Sequence, residues 1–380
     1  MHEKKTVAVV VLLALSTMGG QARALADGVE IGATYTQDYF RDVAGGAARG
    51  GGAPGTIDLT TTVDGRAWGG TVNDRIHADL LQTVGSSISR QAGDLQGLDN
   101  IEADDTTRLF EAWYQHDFQG TGYAVRLGLQ DYNALFDVLD AAGVFINSSF
   151  GLDPTISQLP VSTFPVTAVG AVARWQASDG AYVMAGAYDG KPGLEGHPNG
   201  THIEFRSGDG LFNALEAGLV RRGAHPYKVA LGGWYRTSDF EDPMGRDRNA
   251  NHGMYAIAQR RLTPAGAMPA LDAFVQLGAT QSDRNVIDRY LGAGMTATGP
   301  FPRRPDDVLG IAVAQARTAD GYRRQTPNSS DAETTVELTY QVPVNDHVSV
   351  QPDVQYIINP GASTAVDDAW ALGVRGQITW

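Results

Sequence analysis

Apolar and polar side chains alternate one by one along much of the chain, as in a β-strand with two different faces. The clearest segments are YAVRLGLQ at 123–130 and YKVALGGWY at 227–235. In lipid every backbone polar group must be paired, so membrane-spanning strands close into a barrel. The outer side chains of such a barrel meet hydrocarbon and the inner ones meet water. The alternation therefore predicts an all-β, transmembrane antiparallel β-barrel.

Segments of this kind can be counted along the chain. Seventeen candidates start near residues 28, 56, 70, 107, 122, 166, 181, 201, 211, 227, 252, 271, 288, 307, 332, 347 and 369. Bacterial single-chain barrels have an even number of strands. We therefore predict about 16 strands and omit the least regular candidate, residues 201–206. A barrel of about sixteen strands is wide enough for an aqueous channel.

The last candidate strand carries a further signal. Trp370, Leu372, Val374, Ile378 and Trp380 lie on one face, and the last residue is aromatic. A terminal amphipathic strand that ends on an aromatic residue predicts insertion by the barrel-assembly machinery, and the single apolar face predicts contact with outer-membrane lipids. A soluble β-sandwich is the alternative, but it gives no reason for this ending.

The connections differ in length and composition. Residues 45–55 are rich in glycine and read as a flexible outer loop. Residues 131–165 form a longer connection that contains several Phe, Leu and Val residues. Long loops in compact folds are commonly functional, and ordinary outer loops are polar. We predict that this loop folds into the lumen; a partly helical cap outside the barrel is the alternative.

The N-terminus resembles a secretory signal. Lys4 and Lys5 precede an apolar run at 7–15, and small-x-small cleavage sites end at Ala24 and Ala26. We predict a signal peptide at 1–26, with Ala24 as the alternative cleavage point, and a barrel domain at 27–380. The apolar run is too short for a membrane anchor. Export together with a membrane barrel predicts the outer membrane of a Gram-negative bacterium.

Composition narrows the possible partners. The net charge of −14 argues against nucleic acid as a partner. None of the 8 histidines lies in a catalytic motif, and the Gly-x-Ser-x-Gly motif of serine hydrolases is absent, so we predict no enzyme activity and no cofactor. The acidic run at 102–105 could bind a divalent cation, but it lacks regular ligand spacing. A solvated loop is favoured there, and we predict no metal site.

Several motifs resemble those of the carbohydrate-selective porins of the OprB type. They are GDLQG at 93–97, NIEA at 100–103, RLFEAWY at 108–114, FDV at 136–138, GVFINSSFG at 143–151, LGGWY at 231–235, YLGAG at 290–294, RPDD at 304–307, QPDVQY at 351–356 and NPG at 359–361. The resemblance implies a sixteen-stranded barrel with an inward loop, and passive uptake of glucose and related small sugars. It leaves open a general or ion-selective porin, and either a monomer or a homotrimer.

A sugar-selective channel needs hydrogen-bond groups for hydroxyls and aromatic surfaces for C–H faces. The alternation places candidates for both on the inner face. The predicted pore-lining residues are Arg75, His77, Glu111, Trp113, Arg126, Gln130, Lys228, Trp234 and Arg236. Trp113 and Trp234 are the predicted stacking surfaces. Two structural alternatives remain open for these residues. Inward Arg and Glu side chains could form cross-strand ion pairs that stabilise the wall, and an inward Trp could pack against the long loop.

Overall fold

A computed structural model describes residues 23–26 and 28–380. Most of the predicted signal peptide lies outside these residues. Sixteen long strands form the wall: β1 Val29–Ala44, β2 Gly55–Asp64, β3 Asp74–Val84, β4 Thr106–Phe118, β5 Tyr123–Gln130, β6 Ala168–Gln176, β7 Ala181–Asp189, β8 Leu211–Arg221, β9 Tyr227–Arg236, β10 Asn251–Arg261, β11 Ala270–Thr280, β12 Ile287–Thr298, β13 Val308–Thr318, β14 Ala332–Pro343, β15 Val348–Ile358 and β16 Ala369–Thr379. The predicted strand number is confirmed, and residues 201–206 are not a strand.

The sheet closes on itself. Each strand pairs antiparallel with the next, and β1 pairs with both β2 and β16. Ala33 and Trp380 exchange backbone hydrogen bonds at the seam, with the Trp380 N–H donating over 2.9 Å. Closure leaves no unpaired edge in this wall, as a lipid environment requires.

Short strands and helical turns lie outside the sixteen long strands. Three further pairings involve short strands: Arg23–Ala26 and Gly51–Gly52 each pair with β1, and Phe240–Glu241 pairs with Asp247–Arg248. The connections contain brief helical turns at Gly65–Trp68, Ser89–Ala92, Asp140–Ala142, Ser148–Phe150, Pro154–Ser157, Asp320–Arg323 and Pro360–Ala362. Among the described residues, no helix is both long and apolar enough to cross a membrane.

The two ends of the barrel differ. At one end the strands are joined by 65–73, 119–122, 177–180, 222–226, 262–269, 299–307 and 344–347. At the other end they are joined by 45–54, 85–105, 131–167, 190–210, 237–250, 281–286, 319–331 and 359–368. We call these the short-turn end and the long-loop end. Outer-membrane barrels place short turns on the periplasmic side and longer loops outside the cell.

The two faces of the wall follow the sequence alternation. Leu127, Leu231 and Ile311 are 49%, 69% and 55% exposed on the outer face. The polar side chains of Glu216 and Gln276 lie on the inner face and are fully buried. Apolar groups therefore face the lipid and polar groups face the interior, as a water-filled barrel requires.

One irregularity changes the alternation within β4. Asp79 pairs with Glu111 and Leu80 pairs with Leu109, so Phe110 is the extra residue of a β-bulge. The alternation alone places Phe110 outward together with Ala112 and Tyr114. The bulge reverses the faces before it, so that Leu109 is exposed and Arg108 is buried.

The outer face gives a test of the barrel orientation. Leu127→Arg should impair folding into the membrane, because an arginine facing mid-bilayer lipid costs about 2–4 kcal/mol. Thr60→Arg is the control, since Thr60 is on an inner-face position and pairs directly with Asp79. Heat-modifiable gel migration and membrane yield report folding. Equal loss in both variants would contradict the face assignment.

Candidate functional site in the barrel lumen

The long connection 131–167 packs against inward side chains of the wall. Its Tyr132, Phe136, Phe145 and Phe150 belong to one buried apolar cluster. The wall supplies the other side of this cluster with Tyr182, Tyr188, Phe212, Trp234, Tyr255, Phe274 and Tyr290. Because these wall residues are on inner-face positions of β7 to β12, the connection lies inside the barrel. We call residues 131–167 the lumen loop.

Carboxylates of the wall hold the lumen loop by its backbone. Glu337 on β14 accepts the N–H groups of Ile146 and Asn147 over 2.6 and 2.9 Å. Glu216 on β8 accepts the N–H group of Asp137 over 2.9 Å. A loop in a lumen lacks strand partners for its backbone, and these bonds satisfy donors that burial would otherwise leave unpaired.

Both oxygens of Glu216 accept hydrogen bonds from tyrosines of the wall. Tyr182 donates its hydroxyl to Oε1 over 2.7 Å, and Tyr255 donates to Oε2 over 2.6 Å. One buried carboxylate therefore accepts bonds from the loop, from the adjacent strand β7 and from β10, two strands away. The network fixes the loop against β7, β8 and β10.

Small wall residues make room for the lumen loop. A Cβ atom on Gly278 would lie 1.6 Å from Oδ2 of Asp153, and one on Gly310 would lie 2.9 Å from the Phe145 ring. Burial raises the pKa of Asp153 to about 7. Burial, together with the negative charge of Asp153, raises the pKa of Asp137 as well. Because like charges disfavour double ionisation, the proximity of the two carboxyl groups favours protonation of one of them more than in an isolated aspartate.

The lumen loop leaves an arginine-lined passage along β3 to β7. A cavity of about 260 Å³ lies there and is lined by Arg75, Gln115, Ala124, Arg126, Leu135, Val172, Arg174 and Met184. Arg75 donates to Asp117 over 2.6 Å, and Arg126 donates through Nε to Gln115 over 3.0 Å. Leu135 is the loop's contribution to this lining. The passage therefore runs between the loop and an arginine-bearing wall.

Trp113 supports this wall. The Arg126 guanidinium lies 3.9 Å from the centroid of the indole, and the His77 ring stacks on it at 4.9 Å. His77 and Arg126 belong to β3 and β5, which flank Trp113 on opposite sides. The indole faces are thus covered by protein, and the cation–π contact orients Arg126. Glu111, the loop anchor beside them, accepts the Asp131 N–H group over 2.8 Å.

The other predicted pore-lining residues are inward but contact the lumen loop or other protein groups. Gln130 is fully buried and donates to the Gly170 carbonyl over 2.9 Å. Trp234 is 3% exposed within the apolar cluster. Arg236 is 2% exposed and donates to the Gly190 carbonyl. Lys228 donates to the Val138 carbonyl of the loop over 2.8 Å. The structure does not bring Gln130, Trp234 or Arg236 to the open passage.

The sequence analysis did not identify two arginines that lie in the lumen. Arg174 lies on β6 between Ala173 and Trp175, and the alternation of β6 would have placed it inward. Arg108 donates to the Pro198 carbonyl over 2.6 Å at the long-loop end. No signal in the alternation indicates Arg108, because the bulge at Phe110 reverses its face.

Two wider cavities lie toward the two ends of the barrel. A cavity of about 590 Å³ at the long-loop end is lined by Arg108, Lys191, His197, Arg236 and Phe240, among others. A cavity of about 780 Å³ at the short-turn end is lined by Asp140, Lys228, Gln259, Arg261 and Asp272, among others.

The acidic run at 102–105 has a structural role. Glu102 accepts the N–H groups of Ile88 and Ser89, each over 3.1 Å. Asp105 accepts the N–H group of Gly85 over 2.9 Å. Within the described part of the chain, no group of three or more His, Cys, Asp or Glu residues is placed to hold a metal ion.

Comparisons with known proteins agree with this architecture. The family model of the carbohydrate-selective porins, OprB family, matches residues 55–380. Porin B of Pseudomonas aeruginosa is 30% identical over 235 residues, which cover 52% of this chain and 51% of the relative. A putative porin, QuiX of Acinetobacter baylyi, is 24% identical over 178 residues, or 41% of this chain and 40% of the relative. The matched stretch thus spans about half of the curated relatives or less.

Solved structures show the same fold. The high-pH structure of Pseudomonas putida OprB has a TM-score of 0.83 at 19% identity and covers 94% of this chain and 95% of the other. The outer-membrane channel DcaP of Acinetobacter baumannii has a TM-score of 0.58 at 9% identity, covering 95% of this chain and 99% of the other. At these identities the likeness concerns the fold alone.

Removal of the Glu216 carboxylate should release part of the lumen loop. Glu216→Ala leaves the donors of Asp137, Tyr182 and Tyr255 unpaired, at a cost on the order of 1–3 kcal/mol each if they stay buried. We expect a lower midpoint of unfolding and a higher ion conductance in planar bilayers. Glu204→Ala is the control, because Glu204 is exposed and pairs only with Arg206 among the described residues. Unchanged stability and conductance in Glu216→Ala would contradict the anchoring role.

Proposed function

The chain belongs to the carbohydrate-selective porin family, the OprB family, and from this we propose that it is a passive channel for small carbohydrates such as glucose. Its family and its β-barrel fold are those of outer-membrane channels and not of enzymes. The observation that carries the proposal is the narrow passage between the lumen loop and the arginine-bearing wall. A sugar in this passage must meet Arg75, Arg126 or Arg174.

The wall chemistry suits neutral polyols. Sugar hydroxyls both donate and accept hydrogen bonds, and bonds to charged groups are stronger than bonds between neutral groups. Guanidinium groups supply donors, while Asp117 and Glu111 supply acceptors on the same wall. Leu135 and Met184 add apolar surface for the C–H faces. Trp113 contributes by holding Arg126 in place, since its own faces are covered.

Transport through this passage needs no energy source. A site with a millimolar dissociation constant is worth about 4 kcal/mol, which still permits rapid release. A conducting pore must bind its solute strongly enough for entry and weakly enough for release. Each barrel encloses its own passage, so the proposal holds for a monomer and for a homotrimer alike.

We also propose that residues 1–26 are removed after export. The charged start, the apolar run at 7–15 and the small residues before Asp27 support this. Intact-mass measurement of protein isolated from outer membranes should give a chain that begins at Asp27, or at Leu25 if cleavage follows Ala24. Recovery of the chain with residues 1–22 intact would contradict the proposal.

The channel proposal is tested by current block. Glucose titrated into planar bilayers should reduce the ion current of the wild-type channel in a saturable way. Arg126→Ala and Trp113→Ala should weaken this block by removing or misorienting the same guanidinium. Arg41→Ala is the matched control, because Arg41 is an exposed strand residue on the outer face of β1. Liposome swelling gives an independent rate of sugar entry.

The outcomes separate two kinds of channel. A wild-type current that ignores glucose while ions pass freely would contradict sugar selectivity and leave a general porin. Equal loss of block in Arg41→Ala would show that the effect does not come from the lumen.

A further inference from the structure

Two arginines face each other on the outer surface of the barrel. Arg289 on β12 and Arg317 on β13 are direct register partners. Both are exposed, and the residues beside them on the inner face, Tyr290 and Ala316, are buried. Leu291 and Ile311 lie further down the same outer face and are 41% and 55% exposed. The arginine pair, Arg289 and Arg317, therefore points away from the lumen, above the apolar surface of the wall.

This arrangement is unfavourable without a counterion. Side chains in direct cross-strand positions have Cβ atoms about 5 Å apart, and like charges there are destabilising. Neither guanidinium is within the 4.0 Å salt-bridge distance of a carboxylate in the described chain. Asp288 is near enough to interact electrostatically with both, but a single carboxylate leaves the pair with excess positive charge.

The surroundings extend the polar character of this patch. Gln315 lies two residues before Arg317 on the outer face and donates to the Thr334 hydroxyl over 3.1 Å. β12, β13 and β14 thus present polar groups outward over two successive outward positions, with Gln315 and Thr334 one position below the arginine pair. The patch lies at the start of β12 and the end of β13, which is the long-loop end. That end faces the outside of the cell, where the membrane leaflet is rich in phosphorylated glycolipid.

We propose that the arginine pair binds a phosphate group of outer-leaflet lipopolysaccharide. Two guanidinium forks offer parallel N–H donors that match phosphate oxygens, and a phosphate carries the charge needed to offset their repulsion. Gln315 and Thr334 supply polar neighbours for the attached sugar, and Leu291 with Ile311 supplies apolar surface for acyl chains. This lipid site is on the opposite face of the wall from the sugar passage and is independent of its function.

The test measures lipid binding to the purified full barrel in detergent. Lipid A that carries both phosphates is titrated, with a chelator present, and bound lipid is counted by native mass spectrometry. We expect the Arg289→Gln/Arg317→Gln variant to bind about tenfold or more weakly, because it loses two charge-assisted contacts. Dephosphorylated lipid A should bind the wild type as weakly as phosphorylated lipid A binds the variant.

Matched controls isolate the arginine pair. Arg41→Gln removes a lone outward arginine at the long-loop end, and Arg260→Gln removes one at the short-turn end. Both should bind lipid A like the wild type. Equal weakening in either control, or unchanged binding in the double variant, would overturn the proposal. Inorganic phosphate that competes at low millimolar concentration would also overturn it, in favour of a free-phosphate site.

A stability measurement guards against misfolding of the variant. Without lipid, the double variant should unfold at the same or a higher temperature than the wild type, since the repulsion between like charges is gone. With lipid A, the wild type should gain more in unfolding temperature than the variant. A variant that is less stable without lipid would show that the arginines stabilise the barrel by themselves, which contradicts the need for a ligand.

Discussion

The lumen loop has no sheet to join, so its buried backbone donors require other acceptors. Carboxylates of the wall meet this requirement: Glu111, Glu216 and Glu337 each accept at least one backbone N–H group of the loop. Backbone N–H groups of the connection 85–105 are also bound by a wall carboxylate, because Glu333 accepts the N–H groups of Leu95 and Gln96. Without these carboxylates the loop would leave amides unpaired inside the barrel, and its inward position would be lost.

The position of the loop decides where a solute can pass. Its aromatic side chains fill the side of the lumen bounded by β7 to β12. The side bounded by β3 to β7 stays open, and there the wall presents Arg75, Arg126 and Arg174. The passage is therefore a product of loop docking as much as of wall composition. A change at Glu216 should alter conductance even though Glu216 does not line the passage.

The sequence predicts strands and faces well because both depend on a local, two-residue period. The two-residue period places Arg75 and Arg126 on the inner face, where the structure also has them. The same period would place Arg174 on the inner face. It cannot show the bulge at Phe110, since one extra residue leaves no mark in a single sequence. It also cannot separate inward residues that reach the passage from those that other parts of the chain hold, such as Trp234 in the apolar cluster and Arg236 beside Gly190. That distinction depends on contacts between residues far apart in the chain.

Charge compensation distinguishes the two faces of the wall and bears on selectivity. Around the passage, Arg75 pairs with Asp117, and Arg126 lies near Glu111. Three arginines thus face two carboxylates, and the net field is weak compared with the number of charged hydrogen-bond groups. A strong net field would concentrate anions and slow their release. For the proposed sugar channel, a nearly balanced wall would offer charge-assisted bonds to hydroxyls without this penalty, and this would favour neutral sugars over anions of the same size. Asp117→Asn should therefore shift the ion selectivity of the channel toward anions, measured as the reversal potential in planar bilayers, while the barrel stays folded.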